Sequence, residues 1–232
     1  MFKRIAALLT GSLFVMACQA QPTLYQEGTH YFKVEPAQAT STPGKVEVVE
    51  VFSYACIHCA HFEPYVAAWK KEGMPKEASF SYMPAVFNPS WELLARAFYA
   101  SEVLKTLDKS HAATFDAIFT ARRPMQTMDQ IAEFLATYGH SADDVKKTMN
   151  SFGVEMKVNR AKKLVLGYQV DGTPTVVVAG KWRVTGQSAG GHENVFKVVN
   201  YLVQQEAGKL SKPAVDTKAA AAPAPKPAAA KS

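Results

Sequence analysis

Two cysteines separated by two residues, Cys56 and Cys59, stand where an apolar segment passes into a helical one. The preceding run, Val46–Phe52, is β-branched and almost continuously apolar, which is typical of a central strand covered on both faces. A helical pattern follows from Cys56 to about Lys71. This junction constrains the fold strongly, because it places the first sulfur at a helix N-terminus beside a buried strand.

The junction indicates thiol–disulfide chemistry. Unpaired N–H groups and the helix dipole at an N-terminus favour the thiolate of Cys56. Two intervening residues put the sulfurs about one helical turn apart, within bridging distance. His58 would supply a further donor or positive charge beside Cys56. We therefore interpret Cys56, His58 and Cys59 as catalytic residues.

Other uses of this cysteine pair are less well supported. A zinc ribbon or an iron–sulfur site needs a second cysteine pair, and the chain has only three cysteines. Haem attachment needs histidine directly after the second cysteine, where the chain has Ala60. A metal held by the two cysteines with His58 and His61 is disfavoured, because neighbours on one turn seldom converge on one ion. We predict no metal site, and a purely structural bridge would constrain little.

The remaining pattern predicts an α/β fold in which an all-helical insertion splits a mixed sheet. Thr127 with Gln130 is a candidate capping box inside the insertion, and Ser141 is a candidate cap for another helix. The predicted segments are an edge strand at His30–Val34, a strand at Ala78–Phe87, helices from Trp91 to about Leu166, a hairpin of Thr173–Val178 with Lys181–Thr185, and a helix from about His192 to Gln205.

Two motifs in this order resemble the DsbA family of periplasmic thiol:disulfide oxidoreductases, in the thioredoxin superfamily. The first runs from Glu47 to Cys56 and includes an acid, Glu50, six residues before the first cysteine. The second is the segment 172–175, Gly-Thr-Pro-Thr, which is similar to the family's cis-proline loop. The resemblance extends from about residue 24 to 208 and implies a thioredoxin fold with an inserted helical domain. Ile57 departs from the family, where proline is commoner, and this dipeptide tunes the redox potential.

The resemblance implies a dithiol oxidase. Such an enzyme donates the Cys56–Cys59 disulfide to unfolded exported proteins through a mixed disulfide at Cys56. A quinone-linked membrane protein of the DsbB type would reoxidise it. No flavin or nucleotide motif is present in the sequence, so we predict no cofactor.

The resemblance also assigns the remaining site residues. Thr173, beside a cis Pro174, would pair with an extended substrate as an added strand, and Ile57 would contact the substrate. Glu50 lies in an otherwise apolar strand and is either a paired core charge or a proton carrier. We favour proton exchange with Cys59, because burial raises the pKa of an acid towards that of a thiol.

Two other classes of function remain open. A periplasmic disulfide reductase could use the same motif on the same fold. A non-enzymatic chaperone or metal-binding lipoprotein would keep its function without the cysteines. A dimeric isomerase needs a separate N-terminal dimerisation domain, for which residues 21–45 are too short. Nothing in the sequence demands a dimer, so we expect a monomer.

The predicted domain organisation follows from the two motifs and the two ends. Residues 1–20 are predicted to be a signal peptide that is cleaved after Ala20. Two alternatives remain: Cys18, in a lipobox-like segment, is lipidated, or the segment stays as an uncleaved anchor. Each alternative exports the chain, so we expect a periplasmic protein, soluble or lipid-anchored. The other boundaries are thioredoxin-like parts at 21–90 and 167–210, a helical insertion at 91–166, and a disordered Ala/Pro/Lys tail at 211–232.

The net charge of +6 does not indicate a nucleic-acid-binding protein, because it lies at the ends of the chain. Lys3 and Arg4 supply two positive charges, and residues 209–232 carry five lysines against Asp216. Residues 21–208 hold 19 basic and 19 acidic residues. We therefore predict no nucleic-acid partner.

Overall fold

The structure is a computed structural model and describes residues 24–210. Within them a mixed sheet of five strands has the order β1-β5-β4-β2-β3, with β2 and β3 parallel and the other pairs antiparallel. The predicted signal peptide, Cys18 and the predicted tail lie outside the described residues. No helix of the described part combines the length and the apolar character needed to cross a membrane.

The elements follow one another as β, β, α, β, a block of helices, β, β, α, α. They are β1 (Phe32–Lys33), β2 (Val46–Phe52), α1 (Ile57–Ala68), β3 (Ala78–Pro84), α2 (Pro89–Val103), α3 (Leu107–Phe115), α4 (Met128–Ala136), α5 (Ala142–Met149), α6 (Phe152–Gly167), β4 (Thr175–Val178), β5 (Trp182–Thr185), α7 (Gly186–Ala189) and α8 (His192–Leu210). Five-residue π-helical turns, Trp69–Gly73 and Asp116–Thr120, extend α1 and α3.

Strand β2 lies inside the sheet between β3 and β4, and every residue of it is buried. Val46 and Val48 pack into one apolar cluster, with side chains of α1 and α8. Val49 and Val51 pack into a second cluster, with the helical insertion. The near-continuous apolar run of the sequence is therefore explained by two covered faces, as predicted.

The helical insertion begins and ends where local side chains satisfy free backbone groups. Asn88 caps α2 by accepting from the Trp91 N–H, and Pro89 occupies the first turn, where a missing N–H is harmless. Thr127 and Gln130 form the predicted capping box of α4. Ser141 caps α5 as predicted, accepting from the Asp144 N–H.

Several predicted element bounds are corrected by the structure. Strand β3 ends at Pro84 rather than Phe87, and α2 begins at Pro89 rather than Trp91, because Asn88 and Pro89 already form a helix start. Strand β4 begins at Thr175, since Pro174 has no N–H to donate to the ladder. Helix α8 continues five residues beyond Gln205 to Leu210, because no proline interrupts it and Gly208 keeps a helical backbone.

Candidate active site

The two cysteines lie at the start of α1, at the end of a buried strand. Cys56 is the N-cap residue with extended backbone angles, and α1 begins at Ile57. Cys56 is half-buried, whereas Cys59, one turn later, is fully buried at 0% exposure. Both thiols are free in this structure. The substrate-accessible sulfur is therefore that of Cys56.

The pKa of Cys56 is lowered to about 5. The largest cause is a hydrogen bond from the Cys59 thiol, and burial opposes it. A hydrogen bond from the Thr173 side chain and the backbone N–H groups of Cys59 and His58 lower the pKa further. The backbone N–H groups at the start of α1 therefore contribute to the low pKa after the Cys59 thiol, and the contribution of His58 comes from its backbone.

Cys59 has the opposite character. Burial is the main cause that raises the pKa of its thiol, and the hydrogen bond to Cys56 and the charge of Glu50 add to it. Glu50 is itself only 2% exposed, and its Oε2 has no hydrogen-bond partner among residues 24–210. Burial raises the pKa of this carboxyl group well above its usual range, and the charge of Glu63 raises it further. A buried acid therefore lies close enough to Cys59 to interact with its charge.

The proline loop faces the first cysteine. The Thr173–Pro174 peptide bond is cis, as the motif predicts, and the Cys56 thiol donates to the Thr173 carbonyl oxygen at 3.3 Å. The loop is held by the Thr175 hydroxyl, which donates to the Gly172 carbonyl oxygen at 2.8 Å. The two motifs, 117 positions apart in sequence, thus meet at one sulfur.

Two cavities border the residues that follow Cys56. The first, about 720 Å³, is lined by exposed His58 together with Tyr65, Thr173, Pro174 and His192. The second, about 420 Å³, is lined by Ile57 with residues of α1 and of the insertion, namely Ala60, His61, Phe115, Asp116 and Phe119. His58, Thr173 and Pro174 therefore share one groove, and Ile57 borders the other.

Sequence reasoning missed four residues of this region. His192, the first residue of α8, lines the groove of His58, and burial together with the charge of His58 lowers its pKa. Glu63, Tyr82 and His111 form a polar cluster beside Glu50. Of these, Glu63 could have been found, because it follows Cys56 by seven residues and so lies on the same side of α1 two turns later.

Within residues 24–210, no group of three or more His, Cys, Asp or Glu side chains has a geometry that could hold a metal ion.

Residues 47–202 match the family described as DSBA-like thioredoxin domain. The thiol:disulfide interchange protein DsbA of Azotobacter vinelandii is 39% identical over 206 residues, covering 87% of this chain and 96% of that protein. The chain belongs to the DsbA family. The DsbA of Pseudomonas aeruginosa is 38% identical over 207 residues, covering 89% of this chain and 97% of that protein.

Solved DsbA structures confirm the fold. The crystal structure of Pseudomonas aeruginosa DsbA superposes with a TM-score of 0.76 at 36% identity, covering 81% of this chain and 97% of that one. DsbA from Xylella fastidiosa gives a TM-score of 0.72 at 36% identity, over 77% and 96% of the two chains. This DsbA-family chain is therefore a thiol:disulfide oxidoreductase with a thioredoxin fold and a helical insertion.

Proposed function

We propose that this protein donates the Cys56–Cys59 disulfide to unfolded exported proteins in the periplasm. The observation that carries the proposal is the contrast between the two thiols: the pKa of half-buried Cys56 is lowered to about 5, and that of buried Cys59 is raised. An asymmetric pair of this kind forms its mixed disulfide at Cys56 and loses Cys56 readily as a leaving thiolate.

The reaction has two exchange steps. A substrate thiolate attacks Cys56 Sγ of the bridge, the sulfur–sulfur bond breaks, and Cys59 leaves with the electron pair. A second substrate thiolate then attacks the substrate sulfur of the mixed disulfide and expels Cys56 as a thiolate. The substrate gains a disulfide and loses two electrons, and the enzyme becomes the dithiol.

The proline loop would bind the substrate during both steps. Thr173 already accepts a hydrogen bond from Cys56 Sγ, so an extended peptide paired with it would bring its own cysteine to that sulfur. His58 and Ile57 each border one of the two cavities and would contact the residues that flank the substrate cysteine.

Glu50 would exchange a proton with Cys59. When Cys59 leaves as a thiolate, its raised pKa makes it take a proton readily. Glu50 can supply that proton, because burial raises the pKa of its carboxyl group and lets it stay protonated where a surface carboxyl is ionised. Replacing Glu50 with glutamine should therefore slow the step in which Cys59 leaves or returns.

The low pKa of Cys56 also sets the direction of the reaction. Lowering a thiol pKa from about 8.5 to about 5 stabilises the reduced form at pH 7 by at most about 3 kcal/mol. Water screens a half-buried thiolate, which leaves about 2 kcal/mol, equivalent to about 40 mV in the oxidising direction.

The direction of the exchange determines which partners the enzyme needs. The enzyme must be reoxidised after each cycle, and we propose a DsbB-type quinone-linked membrane protein as the acceptor. We also propose that the protein works as a monomer, because one chain supplies both cysteines, the proline loop and Glu50. Export would be directed by residues 1–20, with Cys18 as a candidate for lipid attachment.

The decisive experiment is the redox equilibrium of the purified protein against a series of glutathione buffers, with the thiols alkylated and counted by mass. We expect a potential well above that of the glutathione couple. A potential well below it would assign the protein to the reductases on the same fold. The Cys56→Ser/Cys59→Ser variant is the control in a strain that lacks the gene, and continued support of disulfide formation there would favour a non-enzymatic chaperone.

A further inference from the structure

A buried polar cluster connects the helical insertion to the active-site half of the molecule. Glu63 of α1 has a side chain that is 13% exposed. Its carboxylate accepts from the Tyr82 hydroxyl at 3.0 Å and 3.2 Å on its two oxygens. His111 of α3 approaches from the insertion, with Nε2 3.3 Å from Glu63 Oε2. The Tyr82 hydroxyl thus binds this carboxylate, and the His111 imidazole lies in polar contact beside it, with no hydrogen-bond partner for its Nε2 among the described residues.

The imidazole of His111 is itself held from the other side. It is 5% exposed, and its Nδ1 lies 2.9 Å from the Tyr54 hydroxyl. Burial raises the pKa of Tyr54, so this hydroxyl keeps its proton and can donate it to Nδ1. A neutral imidazole that accepts at Nδ1 carries its own proton on Nε2, the atom that faces Glu63.

Aromatic rings fix the orientation of the imidazole. The ring of Tyr82 lies 4.1 Å away, centroid to centroid, and the ring of Phe52 lies 5.0 Å away. Phe98 and Phe115 close the other sides at 6.0 Å and 5.4 Å. His111 therefore has little freedom to turn its Nε2 away from Glu63.

The cluster borders Glu50. Tyr82 lies opposite Glu50 in the parallel register of β2 and β3. The charge of Glu63 is the second-largest cause that raises the pKa of Glu50, after burial. Solvent reaches the cluster through a cleft of about 570 Å³, lined by Glu63, Lys70, Tyr82 and His111. A free Glu63 side chain could turn into this cleft and away from Glu50.

We propose that His111 is a positioning residue which, with Tyr82, holds the charged Glu63 carboxylate beside Glu50 and thereby keeps Glu50 protonated. The proposal goes beyond the motifs at Cys56 and Pro174, because its central residue comes from the helical insertion. Its use in catalysis rests on the proposed exchange of a proton between Glu50 and Cys59.

Other charged and titratable groups also act on Glu50 and must be kept constant in any test. They are Cys56 and Cys59 at the start of α1, Lys70 on the π-helical turn, and Tyr82 in the cluster itself. Lys70 lowers the pKa of Glu50 and opposes Glu63. The test is therefore made on the oxidised protein, in which neither cysteine titrates.

The experiment follows Glu50 directly, by carboxyl carbon NMR of the full chain labelled at glutamate, with the signal assigned from Glu50→Gln. We expect His111→Leu to lower the titration midpoint of Glu50 by about one pH unit, because a released Glu63 moves its charge away. His111→Gln should stay near the parent midpoint, since its polar amide can still contact Glu63. Both replacements are uncharged, so the difference between them isolates the polar contact with Glu63.

A double-mutant cycle separates positioning from a direct effect of the imidazole. Glu63→Gln should lower the Glu50 midpoint at least as much as His111→Leu, and adding His111→Leu to it should change nothing more. Additive shifts, an upward shift in His111→Leu, or equal midpoints in the Leu and Gln variants would overturn the proposal. If the His111→Leu replacement disrupts folding, His111→Met takes its place in the same cycle, because it also lacks a polar group that could contact Glu63.

The NMR experiment tests the positioning by His111 whether or not Glu50 exchanges a proton with Cys59. The NMR midpoint shows whether His111 acts on Glu50, regardless of what Glu50 does for Cys59. The pH profile of mixed-disulfide formation in Glu50→Gln shows whether Glu50 exchanges a proton with Cys59. If that profile matches the parent while the midpoints move as expected, proton exchange fails and the positioning by His111 stands.

Discussion

At Cys56, a reactive thiolate is produced by its immediate neighbours. The Cys59 thiol gives the largest lowering of the Cys56 pKa, and the backbone N–H groups at the start of α1 add to it. The imidazole of His58 is exposed and lines the groove. The second cysteine thus has two functions: it closes the disulfide in the oxidised enzyme and stabilises the thiolate in the reduced one.

This arrangement predicts an order among three variants. Cys59→Ala should raise the pKa of Cys56 by roughly one to two units, because it removes the main hydrogen bond. Cys59→Ser should raise it less, since its hydroxyl can still donate. His58→Ala should also raise it less, because the backbone N–H of residue 58 remains. Ultraviolet absorbance of the thiolate against pH measures all three.

The reverse order of the Cys59→Ala and His58→Ala variants would contradict this prediction. If His58→Ala raises the Cys56 pKa more than Cys59→Ala does, the imidazole is the principal stabilising group. The expectation drawn from the sequence would then be right, and the hydrogen bond from Cys59 would be secondary.

At the scale of elements, local patterns in the sequence predicted the regular structure well. The continuous apolar run predicted a strand covered on both faces, and the Thr127 capping box predicted the start of α4. The cysteine pair and the cis-proline loop were identified from motifs and meet in space at 3.3 Å. Such features depend on neighbours in sequence, so they can be read from one chain.

What could not be predicted is the approach of distant elements. His111 reaches Glu63 from α3, 48 positions along the chain, and no local pattern encodes that contact. His192 joins the groove of His58 because α8 packs against α1, which requires the complete fold. The start of α2 did not depend on distant elements. It could have been predicted from the sequence, because Asn88 is a typical N-cap residue and Pro89 a typical first-turn residue.

The Asn88 cap can be tested by stability. Asn88→Ala should lower the free energy of unfolding by about 1 kcal/mol, because the Trp91 N–H loses its acceptor. Asn88→Asp is the matched control, since it keeps an acceptor at the cap and adds a charge that favours a helix N-terminus. Urea unfolding measures both, and equal losses in the two variants would contradict the capping role.

For the whole molecule, folding and redox chemistry are coupled through the same thiolate. In the reduced state, the folded protein holds Cys56 at a pKa of about 5, whereas an unfolded chain has about 8.5. Between these values the unfolded state binds more protons, so the stability of the reduced protein rises with pH. The oxidised protein has no titrating thiol in either state and provides the reference.

The coupling predicts a pH-dependent difference between the two redox forms. From pH 5 to pH 8, the free energy of unfolding of the reduced protein, minus that of the oxidised protein, should rise by about 2 to 3 kcal/mol after allowance for solvent screening. The gain is lost as pH falls through about 5, where Cys56 is protonated in the folded state. Above about pH 8.5 it is offset, because the folded protein keeps buried Cys59 protonated while the unfolded chain releases that proton.

Denaturant unfolding of both redox forms across this range measures the difference, with Cys56→Ser as the control. The serine variant keeps the buried thiol of Cys59 but lacks the titrating group, so its stability relative to the oxidised parent should not rise between pH 5 and pH 8. A flat difference in the parent would mean that the Cys56 thiolate is no more stable in the folded protein than in the unfolded chain. The low pKa could then not be the source of an oxidising potential, and the direction of exchange would have to come from strain or contacts in the oxidised form.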